Sequence, residues 1–370
     1  MSKAAELANL IGNINAGGGG VNRNLIINGA MQLNQRGSYT ITTTGSPEYG
    51  GPDRFHMWSY TSTEQVVGDV TQSTDVPSGN GFAYSRKFDV TTAEDAVASG
   101  EVLLIGQFIE AQNAQHLEYG TSSAKAVTMS FWIKSTKTGT YCFFINQEDG
   151  SRIHVKEYTV DASDTWEKKT ITIPGDASGT INNDTGRGLW CGWVLMAGAD
   201  RQGTANEWRA TSADYATSNQ VNAVDNASNN IYITGVQLEI GQNATEFEHE
   251  PFAITHQKCQ RYCQIRVGTD GANGATAQLG IGNARASTAA YFQDRLQVKM
   301  RTAPSLTVSN ATNFYLYQTG AHSVTALGID TSDANNMLLV ANVSSGLTSP
   351  TFYTLGANNA NAKCIYSSEL

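Results

Sequence analysis

From about residue 21 to residue 251, apolar side chains recur mostly at every second position, and this period constrains the fold class more than any other feature. Val127-Thr128-Met129-Ser130-Phe131-Trp132-Ile133-Lys134 has the alternation of a strand. Gly139-Thr140-Tyr141-Cys142-Phe143-Phe144-Ile145-Asn146 follows it after a Ser/Thr/Gly turn. Ile153 to Val160 and Lys168 to Ile173 continue the series. Gly188-Leu189-Trp190-Cys191-Gly192-Trp193-Val194-Leu195-Met196 reads as a buried strand, and Ile231 to Ile240 ends the series. Strands at this spacing, with no long helices between them, predict a mainly β chain built on a jelly-roll-like β-sandwich. Ile105 to Leu117 fits either a helix or an irregular strand.

The flanks divide the chain further. Residues 1–20 form an expected N-terminal helix and linker, 21–251 the sandwich, 252–265 a helical junction, and 266–370 a smaller C-terminal β domain. Leu7, Leu10, Ile11 and Ile14 fall at helical spacing, with Ser2 placed as an N-cap. Gly17 to Gly20 then form a flexible link. So short a helix is marginal alone and needs a partner for its apolar stripe. It reads as an anchor or oligomerisation peptide, or else as a helix packed on its own domain or a frayed end. After Pro251, Ile254, Cys259, Tyr262 and Cys263 recur at helix-like spacing. The C-terminal strand candidates are short: Ala277–Gly282, Tyr291–Met300, Ser305–Val308, Phe314–Gln318, Asn336–Val343 and Thr351–Leu355. No fixed-period repeat is present, which argues against a solenoid.

Charge narrows the function classes. Charged residues are only 15% of the chain and the formal net charge is -9. The basic clusters Arg152 to Lys156 and Lys168-Lys169 are short. Nucleic-acid binding is therefore not expected. No apolar run approaches the roughly 20 residues of a membrane helix, so membrane insertion is not expected either. The five cysteines are odd in number and scattered, which is not a disulfide framework.

Three stretches carry a resemblance. The first is Asn24-Leu25-Ile26-Ile27-Asn28-Gly29-Ala30-Met31-Gln32-Leu33-Asn34-Gln35-Arg36-Gly37. The second is Gly235-Val236-Gln237-Leu238-Glu239-Ile240-Gly241, running on through Ala244-Thr245-Glu246-Phe247-Glu248. The third is Lys258-Cys259-Gln260-Arg261-Tyr262-Cys263-Gln264. In order and separation they resemble a domain found in tail fibres and related appendages of tailed bacteriophages. The Met300-Arg301-Thr302-Ala303-Pro304 step fits the same pattern, so the resemblance covers about residues 24–305. Cys263 departs from it, standing where an aromatic residue is expected.

The resemblance implies a virion protein that binds rather than an enzyme, with a sandwich related to carbohydrate-binding modules. It implies other virion proteins as partners at the N-terminus and a host-surface glycan or receptor as the target. A homotrimer is implied by analogy, since three-fold association covers sheet edges. The expected location is the virion, after assembly in the host cytoplasm. A capsid decoration or head-fibre protein, and a glycan-degrading appendage enzyme, remain as rivals.

The residues themselves offer little chemistry. Nucleophile-elbow, phosphate-loop, zinc and dinucleotide patterns are missing, and the six histidines are dispersed. Cleavage of a glycan needs two acids about 5 to 10 Å apart. Asp53, Glu110, Glu118, Glu148 and Asp149 are available, but Glu148-Asp149-Gly150 reads first as a hairpin turn. Asp53-Arg54-Phe55 reads as a charged step that pins a loop, with surface sugar recognition as the functional alternative. Cys259 and Cys263 lack further ligands nearby, and Asn182-Asn183-Asp184-Thr185-Gly186 is a turn before it is a calcium loop. Neither a metal nor a cofactor is expected. Sugar sites set Trp or Tyr faces against the apolar face of a pyranose. Trp132, Trp190 and Trp193 lie in strong strand patterns and read as core. Trp58, Trp166 and Trp208 read as nearer the surface. The ligand candidates are Trp208 and Arg209, in a polar excursion from Asp200 to Asn230, and Tyr315 and Tyr317, which alternate with Leu316.

Overall fold

The alternating residues divide between the two faces of sheets in the computed structural model, which describes residues 2–8, 22–41, 45–61, 67–267, 278–358 and 361–370. The chain forms two compact units, residues 1–255 with Leu370 and residues 256–369. Among the described residues, no helix is long and apolar enough to cross a membrane.

The first unit is a two-sheet sandwich. Its strands are β1 (Tyr39–Thr40), β2 (Pro47–Tyr49), β3 (His56–Tyr60), β4 (Val67–Ser73), β5 (Ser85–Thr92), β6 (Val102–Glu110), β7 (Val127–Ser135), β8 (Gly139–Gln147), β9 (Arg152–Val160), β10 (Glu167–Ile173), β11 (Arg187–Ala197), β12 (Trp208–Arg209) and β13 (Asn230–Ile240). One sheet has the order β1-β4-β5-β13-β7-β10 and the other β12-β9-β8-β11-β6-β3-β2. Phe88, Phe131, Ile133 and Ile233 from the first sheet meet Met57, Ile105, Phe143 and Trp193 from the second in one core. Full burial of each such side chain stabilises by roughly 1.5–3 kcal/mol. The ambiguous stretch after residue 104 resolves as the end of β6 followed by two 3₁₀ turns, Ala111–Asn113 and Gln115–Leu117.

The uninterrupted apolar run in β11 has a physical reason. Cys191, Trp193 and Leu195 enter the sandwich core. Trp190, Gly192 and Val194 point the other way and are also buried. Both faces of β11 are therefore covered, and alternation of polar and apolar residues disappears.

The motif stretches 24–37 and 235–248 come together as a seam that closes the sandwich. The Asn24 Oδ1 accepts from the Leu238 amide at 3.0 Å, and its Nδ2 donates to the Val236 carbonyl. The Glu248 carboxylate accepts from the amides of Asn22 and Asn24. Glu239 is fully buried, accepts from Thr245 through both amide and hydroxyl, and pairs with Arg23 at 3.5 Å. Asn28 is buried at φ +61° and bridges Leu33 and Asp53. Gly29 is required because a Cβ there would lie 2.0 Å from the Val236 carbonyl oxygen. These side chains hold backbone to backbone.

The second unit begins within helix α1 (Phe252–Gln260). The helical junction expected over 252–265 is helical only to Gln260, and Cys263 opens strand β14 (Cys263–Val267) instead. Then come β15 (Gln278–Ala286), β16 (Ala289–Arg295), β17 (Ser305–Val308), β18 (Phe314–Tyr317), β19 (Ala321–Ser332), β20 (Asn336–Val343), β21 (Phe352–Ala357) and β22 (Lys363–Ser367). β15, β16, β20, β19, β18 and β21 close into a barrel, while β14, β22 and β17 form a small sheet. Closure removes the barrel's exposed edges. Arg301, from the Met-Arg step, ties the chain end by donating to the carbonyls of Ser368 and Glu369.

At the N-terminus residues 3–8 are helical, and the Ser2 hydroxyl accepts from the Ala5 amide at 3.3 Å. Leu7 is 57% exposed. Leu10, Ile11, Ile14 and Gly17 to Gly20 lie outside the described residues.

Candidate functional site: an aromatic cleft on the seven-stranded sheet

The far face of the seven-stranded sheet, turned away from the core, is built of rings. Cross-strand register aligns Ile153, Asn146, Trp190 and Phe108 in one row. The next row is Val155, Phe144, Gly192, Gly106 and His56. Two glycines sit side by side because the rings lie over them. A Cβ on Gly106 would meet Trp190 Nε1 at 2.5 Å and His56 Nε2 at 2.6 Å, and one on Gly192 would meet the Phe144 ring at 2.3 Å. Glycine inside a strand marks such a close approach.

A strap from residues 203–216 crosses this face. It is fastened by the Gly203 amide to the Ala216 carbonyl and by the Ala216 amide to the Arg201 carbonyl. Tyr215, in the strap, packs against Trp58, Phe144 and Trp190 with ring centroids 5.1 to 5.5 Å apart. Trp58 meets Trp190 edge-to-face at 5.0 Å. Edge-to-face and offset contacts are the favoured aromatic geometries, each worth about 0.5–1.5 kcal/mol beyond burial.

These elements leave a cleft of about 280 Å³, lined by Gly45, Pro47, Trp58, Phe108, Asn146, Glu148, Ser151, Arg187, Trp190, Ser212 and Tyr215. That is near the low end of small-ligand sites, which run from about 300 Å³ upward. The Arg187 guanidinium lies over the Phe108 ring, 4.0 Å from its centroid. Among the described residues its side chain has no hydrogen-bond or ion-pair partner. Glu148 stands in the β8–β9 turn, and its Oε1 accepts from Asn146 Nδ2 at 2.6 Å. Burial pushes the Glu148 carboxyl up from its ordinary value, with Arg187 opposing and Asp149 adding to the rise. Burial also raises the Tyr215 hydroxyl to about 12, so it stays a neutral donor and acceptor. His56 is held well below its ordinary value by burial and then by the charges of Arg86, Arg187 and Arg54. The neutral ring accepts from Trp190 Nε1 at 3.2 Å.

A second concavity of about 380 Å³ lies beside β16, β19 and β20 in the barrel, lined by Gln293, Thr331, Ser332, Asp333, Asn336, Met337 and Leu338. It has no aromatic wall.

The residues singled out from sequence fall in several places. Trp208 faces the sandwich core, donates Nε1 to the Pro174 carbonyl and meets Tyr119 and His154 edge-on. Arg209 ion-pairs with Asp214 at 2.5 Å and donates to its carbonyl, next to Tyr215. It holds the strap and does not line the cleft. Tyr315 and Tyr317 lie on the barrel exterior, Tyr317 half exposed and Tyr315 lying over Gly356. Glu148 does sit in a hairpin turn, as expected. Asp53 anchors Gln35 through amide and side chain, and Arg54 donates to the Phe108 carbonyl, fixing the cleft floor from below. The polar excursion from Asp200 to Asn230 is not simply exposed: Tyr215, Ala216, Ala223 and Val224 are buried in it.

Tyr215 was hidden by this polar surrounding, and Trp190 by its all-apolar strand. The available cue was Gly192, two residues from Trp190, a glycine inside a strand that marks a close approach, here of the Phe144 ring.

No protein-family model and no curated protein matches the chain. Among solved structures, the chain is similar to the enzymatically active domain of bacteriophage CBA120 tailspike protein 4, at 13% identity over 59% of this chain, with TM-score 0.33. The match spans 21% of that tailspike chain, about a fifth of its length. It is also similar to the C-terminal family 22 carbohydrate-binding module of Clostridium thermocellum Xyn10B, at 11% identity over 61% of this chain and 99% of that one, with TM-score 0.29. A family 4 carbohydrate-binding module gives 15% identity over 58% and 97%, with TM-score 0.28.

Proposed function

We propose that the cleft binds a glycan, and that the chain is a bacteriophage virion appendage protein, a tail fibre, that uses it to attach to a host surface. The observation that carries the reading is the aromatic wall of Trp58, Trp190 and Tyr215 beside the polar groups of Arg187, Glu148, Asn146, Ser151 and Ser212. A pyranose has one C–H-rich face that stacks on rings and a rim of hydroxyls that both donate and accept. The cleft offers both halves of that surface. Among the described residues Glu148 is the single carboxylate lining it, and hydrolysis of a glycosidic bond uses a pair. This supports binding over turnover.

The virion setting, attachment of the N-terminus to other virion proteins and the homotrimer are supported by the motif resemblance. In this chain those motifs close the sandwich at the seam, and the proposed recognition surface lies elsewhere.

The test is a glycan array probed with the purified chain and with Trp58→Ala. Trp58 is partly exposed, so its removal should leave the fold intact. The expected outcome is a defined set of glycans bound by the parent chain, with at least about 30-fold weaker binding in the variant, the scale of a 2 kcal/mol hot spot. Equal binding by both proteins would move the site elsewhere.

A further inference from the structure

Arg187 and Glu148 line the same cleft without pairing. Their charged atoms do not come within 4.0 Å of each other, although the Arg187 charge acts on the Glu148 carboxyl. Arg187 is set in place by stacking on Phe108, and Glu148 by its bond from Asn146. The guanidinium offers donors and no acceptor, and an ionised carboxylate offers acceptors and no donor. We propose that this split pair reads an uncharged polar group that both donates and accepts, so that the cleft takes neutral sugars and rejects acidic and amino sugars. Hydroxyl pairs and acetamido groups have this character. Their oxygen accepts from Arg187 while their O–H or N–H donates to Glu148.

A charged substituent meets one wrong partner. A uronate or sialate carboxylate satisfies Arg187 but faces Glu148, and a protonated amine does the reverse. Like-charge juxtaposition in a partly desolvated site is a strong discriminator. The overall charge of -9 adds to the penalty for acidic glycans. The aromatic wall is indifferent to these substituents, so selection falls on the split pair.

This inference rests on the glycan reading, and the experiment separates their failures. Ligand-observed NMR titrations at pH 7, where glucosamine is mostly protonated and glucuronate ionised, would use the full chain with galactose, N-acetylglucosamine, glucuronate and glucosamine. Thermal melts would confirm folding of each variant. At least one neutral sugar should bind ten-fold or more tightly than both charged ones. Glu148→Gln should shrink the gap for glucuronate by about ten-fold and leave the gap for glucosamine unreduced. Glucuronate or glucosamine binding as tightly as the neutral sugars would overturn the charge selection and leave glycan binding standing. An unchanged glucuronate gap in folded Glu148→Gln would do the same. Absence of binding by all four sugars would overturn both.

Discussion

The two outward faces of the sandwich use the same residue types to opposite ends. On the six-stranded sheet, Lys87 and Lys134 flank the Tyr232 ring at 5.4 and 4.6 Å, and Trp166 meets that ring edge-on. There the polar ends are taken up. Lys134 pairs with Asp75 at 2.6 Å and Asp164 at 3.1 Å, and Trp166 Nε1 donates to Asp75. On the seven-stranded sheet, Arg187 stacks on Phe108 in the same manner but, among the described residues, has no acceptor, and Asn146 Oδ1 and His56 Nδ1 are buried without partners there. A cation over a ring is thus no site by itself. What distinguishes the cleft is a concave shape with bonding capacity left over.

The comparison can be broken at several points. The largest effect is expected at the seam, which supports both faces: Gly29→Ala forces a Cβ against the Val236 carbonyl and should cost more than about 3 kcal/mol, read by urea unfolding. Next, Trp58→Ala should lose at least about 30-fold in glycan affinity. Trp166→Ala, its counterpart on the other sheet, should leave affinity unchanged and lower the melting temperature. Equal effects of these two on binding would erase the distinction between the faces.

Arg209→Ala should weaken glycan binding by about ten-fold, because the Arg209–Asp214 pair holds Tyr215 against Trp58. Its stability loss should be small, and calorimetric titration beside a thermal melt separates the two. The smallest effect is expected for Lys134→Met, about 0.5–1 kcal/mol, since Asp75 and Asp164 are largely exposed. Burial pushes the Asp75 carboxyl up, but the Lys134 and Trp166 bonds and the nearby lysine charges outweigh it and hold it below its ordinary value. A depressed carboxylate contributes stability that is present above the unfolded value near 3.8 and lost as pH falls through the folded one. The difference between the parent and Lys134→Met should therefore be full at pH 6 and shrink below about pH 4.

Much of the fold was legible because period two is a direct image of a sheet with one face in the core. Phe131 and Ile133 in β7 show it, with Trp132 on the other side. The cleft was less legible for the same reason. In β11 both faces are buried, so Trp190 and Trp193 look alike in sequence, yet one lines the cleft and the other fills the core. Tyr215 reaches the cleft only through a largely polar strap, and its ring partners Trp58, Phe144 and Trp190 are distant in sequence. The motifs visible in sequence, Asn24 to Gly37 and Gly235 to Glu248, mark the seam. They are contiguous because they bond backbone to backbone, whereas Trp58, Asn146, Arg187 and Tyr215 are gathered from separate strands and a loop.

The most direct measurement is a structure of the full chain bound to the strongest glycan found on the array. The account predicts sugar density in the cleft, with a pyranose face against Trp58 and polar atoms between Arg187 and Glu148. Sugar density at the barrel exterior around Tyr315 and Tyr317, with the cleft empty, would contradict it.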